Sequence, residues 1–590
     1  MVTATGRFER NIFLSCVVVS GAYVVMRAAL VPWVNDEVLT YFLFIEPGDI
    51  VPFHAPWDAN NHFLNSALGL AVYKVFGLVR FGSRIGNVLA FALYAWATFQ
   101  LGRRVQDRLV RWCLWGALLF CPFIIEFFSL FRGYGMELAF WLVGTEVLIR
   151  LAERWRLRLF VLSMLALLLA HAAVLVTVPL WLTVLLALVV LAWQQRAGMS
   201  VRERRQVICA WFFLGLVPWV GAAWYSFELR EHDALYWGSL DGFMEVTMRS
   251  LLHFVFGNGD GAAQWTVLVV VILATASVVW GSKGRRWLLV VPALLWTDSL
   301  SSVAMAHILE LNYPMDRTAA HLVPWTILVL ALALGRTTPR FRIARFASLI
   351  LLWLPFRWAF TANVEETVLW PGQSPPDRLV QRIAEEEAEG PKLLGGPAHE
   401  GLSIAYEARR AGLSAPRIEN ELSGSPLFEL RLVKGREAAR QLANYHAIDS
   451  VPSVGQYLLA RNTPLHLLLE LEHRTEAVSG TWEYLGLLDG DAILDDQDRI
   501  LEVTGTIDSK AVFADLNVVV SMRGPDGEQA YYEGYPLRLS RPRWAGESFK
   551  LRVRLPAVPS ATTCTVYIWN PRKALITTGP IMVTMYRPAP

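Results

Sequence analysis

Apolar runs long enough to cross a bilayer follow one another through the first 360 or so residues, and then the pattern stops. A transmembrane helix needs about 20 apolar residues. On that measure the chain predicts about eleven spans, at 11–34, 84–101, 112–127, 134–149, 159–173, 174–193, 207–225, 264–281, 287–306, 319–335 and 346–361. The two runs meeting around His171–Pro179 also read as one bent hairpin. Pro371-Gly372-Gln373-Ser374-Pro375-Pro376 reads as a linker. Beyond it, Asp377–Glu389 and Leu402–Ala411 predict helices, and Lys392–Gly396 predicts a strand and turn. Further on, Phe549–Leu555 alternates in polarity, Arg523–Gly527 marks a turn, and Val566–Trp569 and Ile581–Tyr586 predict strands. The expected architecture is a polytopic α-helical membrane domain over 1–365, a small α/β domain over 366–478 and a β-sandwich over 479–590. Exposed Trp and Tyr on that sandwich suit sugar faces, and a purely structural cap accounts for it as well.

Loop charges set the orientation. Arg7 and Arg10 precede the first span, and Arg103, Arg104, Arg108 and Arg111 fill the next loop on that side. Arg150, Arg154, Arg156 and Arg158 follow, then Arg196, Arg202, Arg204 and Arg205. Lys283, Arg285 and Arg286, and finally Arg336, Arg340, Arg342 and Arg345, complete the series. Short loops rich in Lys and Arg are cytoplasmic by the positive-inside rule. The intervening loops, 35–83, 126–133, 226–263 and 307–318, and everything from 362 onward then face outward, with the N-terminus inside. The first apolar run is long and lacks a small-x-small cleavage site, so it reads as a retained span of an inner (plasma) membrane protein.

Composition agrees. Of 590 residues 54% are hydrophobic and 18% charged, against roughly a quarter charged in an ordinary soluble domain. A net charge of +3, with no basic stripe interleaved with aromatics, excludes a nucleic-acid partner. Five cysteines without CxxC or Cys/His spacing indicate neither a disulfide framework nor a structural zinc site.

The outward loops hold the polar residues that need explaining. Asn35-Asp36-Glu37 follows Pro32-Trp33 at the outer end of the first span. Ionisable groups near membrane depth are functional candidates, although such acids also cap helices. Asp58 suits a helix N-cap, and in a helix Asp58, Asn61, His62 and Asn65 share one face as a cavity wall. A satisfied amide network between packed helices is the alternative. Glu126 and Arg132 stand among aromatics before Gly133-Tyr134-Gly135, where Arg suits a phosphate or carboxylate and a structural Glu126–Arg132 pair competes. The fourth outward loop offers Tyr313-Pro314-Met315-Asp316-Arg317, in which Asp316 also serves simply to neutralise Arg317. The third contains Glu231-His232-Asp233 and His253, and is long enough to cover a site or rest on the membrane.

Over about residues 10–365 the order and sidedness of these motifs resemble the GT-C glycosyltransferases, the class of protein O-mannosyltransferases and lipid A aminoarabinose transferases, and in particular bacterial members called glycosyltransferase family 39-like. The resemblance rests on the Asp36-Glu37 pair, the amphipathic stretch after it, Arg132-Gly133-Tyr134 and Tyr313-Pro314-x-x-Arg317. It implies Asp36 as general base and outward arginines on the donor phosphate. The Asp58–Asn65 segment departs from the His-Pro-Pro run of relatives, so no role carries over there.

The chemistry expected is transfer of a sugar from a polyprenyl-phosphate donor to an extracytoplasmic lipid, glycan or protein acceptor. Nucleotide sugars are made in the cytoplasm, so an outward site requires a donor delivered within the bilayer. Asp36 is the expected base, with Glu37 orienting it or lining the acceptor path. Arg132 and Arg317 are expected on the leaving phosphate. Asp58, Asn61, His62, Asn65, Glu126, Tyr134 and Tyr313 are expected to bind substrate. No cofactor is required; a divalent metal is not demanded by any ligand spacing, though His54, His62 or His253 could help hold one. A transporter or flippase of lipid-linked sugars would instead show internal repeats with broken midplane helices. A non-catalytic envelope assembly protein would make Asp36 dispensable.

Overall fold

A computed structural model of the chain describes residues 6–282, 285–337, 342–373, 375–390, 392–397, 400–413, 418–420, 427–435, 442–488, 497–509, 516–537, 547–561, 563–571 and 573–589. Lys283, Arg340 and Ser374 lie outside the described residues. The chain forms two compact units, Met1–Val31 with Thr40–Val364, and Pro32–Leu39 with Glu365–Pro590.

The first unit is helical and multi-pass. Among the described residues six helices are long and apolar enough to cross a membrane: Arg7–Leu30, Arg80–Gly102, Val178–Gly198, Val201–Glu231, Gly261–Trp280 and Arg286–Leu309. Arg108–Leu119 and Pro122–Ser129, bent by 43°, make a seventh if they form one span. The expected count of about eleven is therefore not reached on length and apolarity. Leu157–Ala173 and Leu322–Thr337 have only 17 and 16 residues. Tyr134–Glu153 carries Glu137, Glu146, Arg150 and Glu153. The last predicted run divides into a 3-10 segment, Arg342–Leu352, and a short helix, Trp353–Thr361.

Local chemistry explains where these helices start and deform. The Asp107 carboxylate accepts the Leu109 and Val110 N–H groups, and Ser200 with Glu203 forms a capping box. Pro218 has no N–H to donate and crowds the preceding turn, and the helix widens to a π segment at Phe212–Leu216 just before it. Loop arginines pair with acids: Arg104 with the buried Glu146 and the exposed Glu153, both at 2.8 Å, and Arg111 with the buried Glu9 at 3.0 Å.

In the second unit, helices Asp377–Glu389 and Gly401–Arg410 accompany a five-stranded sheet, ordered Ile418–Asn420, Leu394–Gly396, Leu430–Lys434, Gln456–Arg461, Tyr445–Val451. The first two pairings are parallel and the rest antiparallel. A β-sandwich follows. One sheet runs Gln529–Pro536, Asn517–Arg523, Thr563–Trp569, Tyr484–Leu488. The other is six-stranded, with Arg499–Ser509 paired to Glu547–Leu555, Ile576–Thr578 and Ile581–Pro588. Inward residues such as Val503, Val520, Val553, Val566 and Ile581 fill the interior, as the alternating pattern requires. The turn expected at Arg523–Gly527 joins Asn517–Arg523 to Gln529–Pro536, with Gly527 at φ 78°.

Candidate active site

The first unit encloses a cavity of about 480 Å³. One wall is apolar, with Val174, Leu175, Val176, Leu182, Trp219 and Phe227. The polar lining comes from all four loops that the sequence reads as outward, or their edges: Asn60, Asn61 and His62; Arg132 and Tyr134; Ser226, Arg230 and Trp237; Asn312, Arg317 and Thr318. His171, Ser301 and Ser302 add to it from helices. Arg132, Arg230 and Arg317 are on the lining, and among the described residues no carboxylate is. Cavities of this size and character hold small molecules with apolar bodies.

Arg132 is presented by a break in the helical pattern. Chain continuity from Phe127–Ser129 to Tyr134–Glu153 passes through an irregular segment, Leu130–Gly133. At the end of that segment and in the first turn of the following helix the backbone approaches its neighbours too closely for side chains. A Cβ on Gly133 would collide with the Ala173 carbonyl, and one on Gly135 would sit 2.6 Å from the Phe127 carbonyl oxygen. The carbonyls exposed by the break are satisfied by amides. Asn65 Nδ2 donates to the Phe131 oxygen at 3.2 Å and Asn87 Nδ2 to the Leu130 oxygen at 2.9 Å. Asn87 also donates to Asn65 Oδ1 at 3.0 Å and accepts the Met136 N–H at 3.1 Å. Arg132, 1% exposed, donates to Asn60 Oδ1 at 2.7 Å and to Thr40 Oγ1 at 3.2 Å, which fixes its guanidinium at the cavity.

Arg317 is held differently. Asp316 adopts φ 44°, uncommon for a residue with a side chain, and its carboxylate lies 3.6 Å from the Arg317 guanidinium. The Asp316 N–H donates to Ser250 Oγ at 2.9 Å. Trp237 lies 3.9 Å beneath the Arg317 guanidinium carbon, a cation–π contact. An isolated bridge between Ser239 and Tyr313 ties the two loops that carry this pair. Gly238, at φ 100°, permits that close approach.

His62 lies between the arginines' fields. Burial first, then the charge of Arg132, with a smaller share from Arg317, pushes its pKa well below the usual histidine range, so the ring is neutral at pH 7. Its Nδ1 is 3.0 Å from the Ala173 oxygen, and its ring packs edge-on to Tyr134 at 5.0 Å.

The structure thus brings Asn61, His62, Arg132, Tyr134 and Arg317 together. It does not bring four other expected substrate residues to the lining. Asn65 belongs to the amide network, the alternative weighed for it. Asp58 is no helix N-cap: the helix begins only at Phe63, and Asp58 accepts the Asn60 N–H at 2.7 Å in a tight turn. Asp58, Asn61, His62 and Asn65 therefore share no helical face. Glu126 is buried 3.9 Å from Arg27. Tyr313 is a buried tie, its N–H donating to the Ser239 oxygen at 2.9 Å. Asp36 and Glu37 belong to the second unit, at the start of the helix Asn35–Thr40. Asp36 is half-buried; Glu37 is buried and its carboxylate accepts the Val34 N–H at 3.1 Å, capping its own helix.

Asn60, Arg230 and Trp237 escaped the sequence reading. Asn60 adjoins the amides singled out but falls off the helical face assumed for them, and Arg230 and Trp237 lie in the long 226–263 loop, where no local pattern marks them. Deeper in the unit, His321 Nε2 lies 2.9 Å from Asp298 and Nδ1 3.4 Å from Glu137, all buried. This triad ties together Tyr134–Glu153, Val290–Leu309 and the turn that follows Arg317.

No protein-family model matches the chain, and no curated protein matches it. Among solved structures it is similar to crystal structures of ArnT from Cupriavidus metallidurans. The form bound to undecaprenyl phosphate is 11% identical, covering 77% of this chain and 98% of that one at a TM-score of 0.44. The apo form is 11% identical, covering 76% and 97% at 0.41. The cryo-EM structure of the arabinosyltransferase EmbB from Mycobacterium smegmatis is 12% identical, covering 97% of this chain and 64% of that one at 0.35.

Proposed function

We propose that this multi-pass membrane protein is a glycosyltransferase of GT-C type, moving a sugar from a polyprenyl-phosphate donor to an acceptor outside the cytoplasm. The observation that carries the proposal is the cavity: an apolar wall against three arginines, with no carboxylate among the described lining residues. An anion attached to a long apolar chain matches both halves. Arg132 and Arg317 would hold the donor phosphate and stabilise it as leaving group, since fixed cations in a water-poor site act strongly on developing negative charge. The neutral His62 and the amides of Asn60 and Asn61 would hydrogen-bond phosphate or sugar oxygens. Asp36 is our choice of base, taking the proton of the acceptor hydroxyl as the sugar–phosphate bond breaks on the opposite face. That role comes from the sequence motif and its sidedness, and inner-membrane placement with outward-facing loops from the loop arginines.

The test is turnover by the full chain in lipid nanodiscs supplied with radiolabelled undecaprenyl-phosphate sugars and the acceptors of an envelope extract. Asp36→Asn is expected to abolish transfer while leaving donor binding intact. Full turnover by a folded Asp36→Asn protein removes the base assignment; a wild type that binds no polyprenyl phosphate removes the donor.

A further inference from the structure

We infer that the helix Gly401–Arg410 holds the acidic segment Pro32–Leu39 in place, with Tyr406 and Glu407 as positioning residues for Asp36. The inference rests on the assignment of Asp36 as base made above. Its physical ground is a set of contacts inside the second unit. Pro32–Leu39 clusters with Glu365–Pro590 although its covalent neighbours on both sides belong to the first unit. Trp33 and Tyr406, both fully buried, stack at 4.2 Å with their rings 11° from parallel. The Trp33 N–H donates to Glu407 Oε1 at 3.3 Å, and Arg410 Nε donates to Glu407 Oε2 at 2.6 Å. Glu407 is buried, and its two oxygens take these two hydrogen bonds, one of them from the Arg410 guanidinium.

The anchor lies where it matters for Asp36. The Val34 oxygen accepts the Glu37 and Val38 N–H groups at 3.0 and 3.1 Å, so the turn carrying Asp36 begins one residue after Trp33. The helical stretch that this turn opens, Asn35–Thr40 continued by the π segment Tyr41–Ile45, is short and has little stability of its own. Fixing Trp33 from outside sets the position and direction of that first turn. The helix Gly401–Arg410 thereby acts on the chemistry through Asp36, and Glu37, by capping the same turn, works with it.

The experiment uses the full chain in nanodiscs and reads two quantities: hydrogen exchange of the peptide spanning 32–39, and turnover of undecaprenyl-phosphate sugar. Tyr406→Ala should speed exchange of that peptide about tenfold or more, while Tyr406→Phe, which keeps the stacked ring, should restore protection. In the same pair kcat should fall about 100-fold in the alanine variant with the donor KM within about twofold, and recover in the phenylalanine variant. Should Tyr406→Ala unfold its own domain, seen as faster exchange over 430–461, Trp33→Ala removes the same stack from the other side. Unchanged exchange at 32–39 in the folded variants overturns the clamp, and loosened exchange with unaltered kcat overturns its role in positioning. Exchange judges the clamp even if the wild type transfers no sugar, an outcome that would count against the glycosyltransferase reading and the positioning role together.

Discussion

Replacing Arg132 by Gln or Lys separates the phosphate-binding account from a general packing role. Arg132 is 1% exposed and committed to Asn60 and Thr40, so its guanidinium is already oriented when a ligand arrives. A hydrogen bond to a charged group contributes about 1.5–3 kcal/mol. At 1.4 kcal/mol per decade, removing one from a bound phosphate raises the dissociation constant about 10- to 100-fold. Gln retains a donor for Asn60 Oδ1 and loses the charge. Lys keeps the charge and loses the planar fork that reaches Asn60 and Thr40 together, so it should fall between Gln and wild type. The assay is titration of the full chain in detergent with undecaprenyl phosphate, read by native mass spectrometry, alongside undecaprenol, which shares the apolar chain and lacks the phosphate. Undecaprenyl phosphate should bind wild type far better than undecaprenol, and Arg132→Gln should remove most of that preference while leaving undecaprenol unaffected. A folded Arg132→Gln protein that weakens both lipids equally, or neither, refutes the reasoning.

Three further outcomes follow from the geometry. Gly133→Ala forces a Cβ into the Ala173 carbonyl, so it should cost about 1–3 kcal/mol of stability and displace Arg132, visible as a lower melting temperature together with weaker undecaprenyl phosphate binding. Asp298→Asn breaks a buried pair to His321 and should destabilise the protein by about 3 kcal/mol, measured by thermal unfolding in detergent. Burial pushes Glu400 up to about 8, with Lys434 opposing, from the ordinary 4.5. The folded second unit then keeps a proton that the unfolded chain releases between those values, so its stability falls as pH rises from about 5 to about 8, by a few kcal/mol at most. Glu400→Gln should flatten that slope in denaturant titrations of the full chain followed by exchange of the Gln456–Arg461 strand, and an unaltered slope would assign it to other groups such as Glu387, which burial pushes up to about 7.

The helices and strands were legible because burial period and loop charge write themselves locally. The amphipathic pattern bounds Asp377–Glu389 as the structure does, and the alternation over Phe549–Leu555 falls within the strand Glu547–Leu555. Arg132 and Arg317 stood out as cations beside apolar runs, and both line the cavity. The Asp58–Asn65 reading failed on a boundary. It assumed a helix from Asp58, whereas the turn at Asp58–Asn60 delays the helix to Phe63 and sends Asn60 rather than Asp58 to Arg132. The Trp33–Tyr406 contact joins residues 373 positions apart and has no local signature.

What separates ligand-facing polar groups from structural ones here is where unsatisfied backbone lies. The chain breaks its helical course at the extended Leu130, which leaves the Leu130 and Phe131 carbonyls in an apolar interior, while Gly133 and Gly135 let it pack tightly just beyond. Carbonyls in such surroundings demand donors. Asn65 and Asn87 supply them, and in doing so are spent on the backbone. Asn60 lies beyond the reach of that demand and bonds Arg132 instead. An amide in the sequence looks identical in the two situations, because its partner is decided by a loop tens of residues away. Presenting a cation to the cavity and burying amides behind it are therefore one structural event. Substituting Asn87 should accordingly loosen Arg132 without any contact between the two side chains being needed.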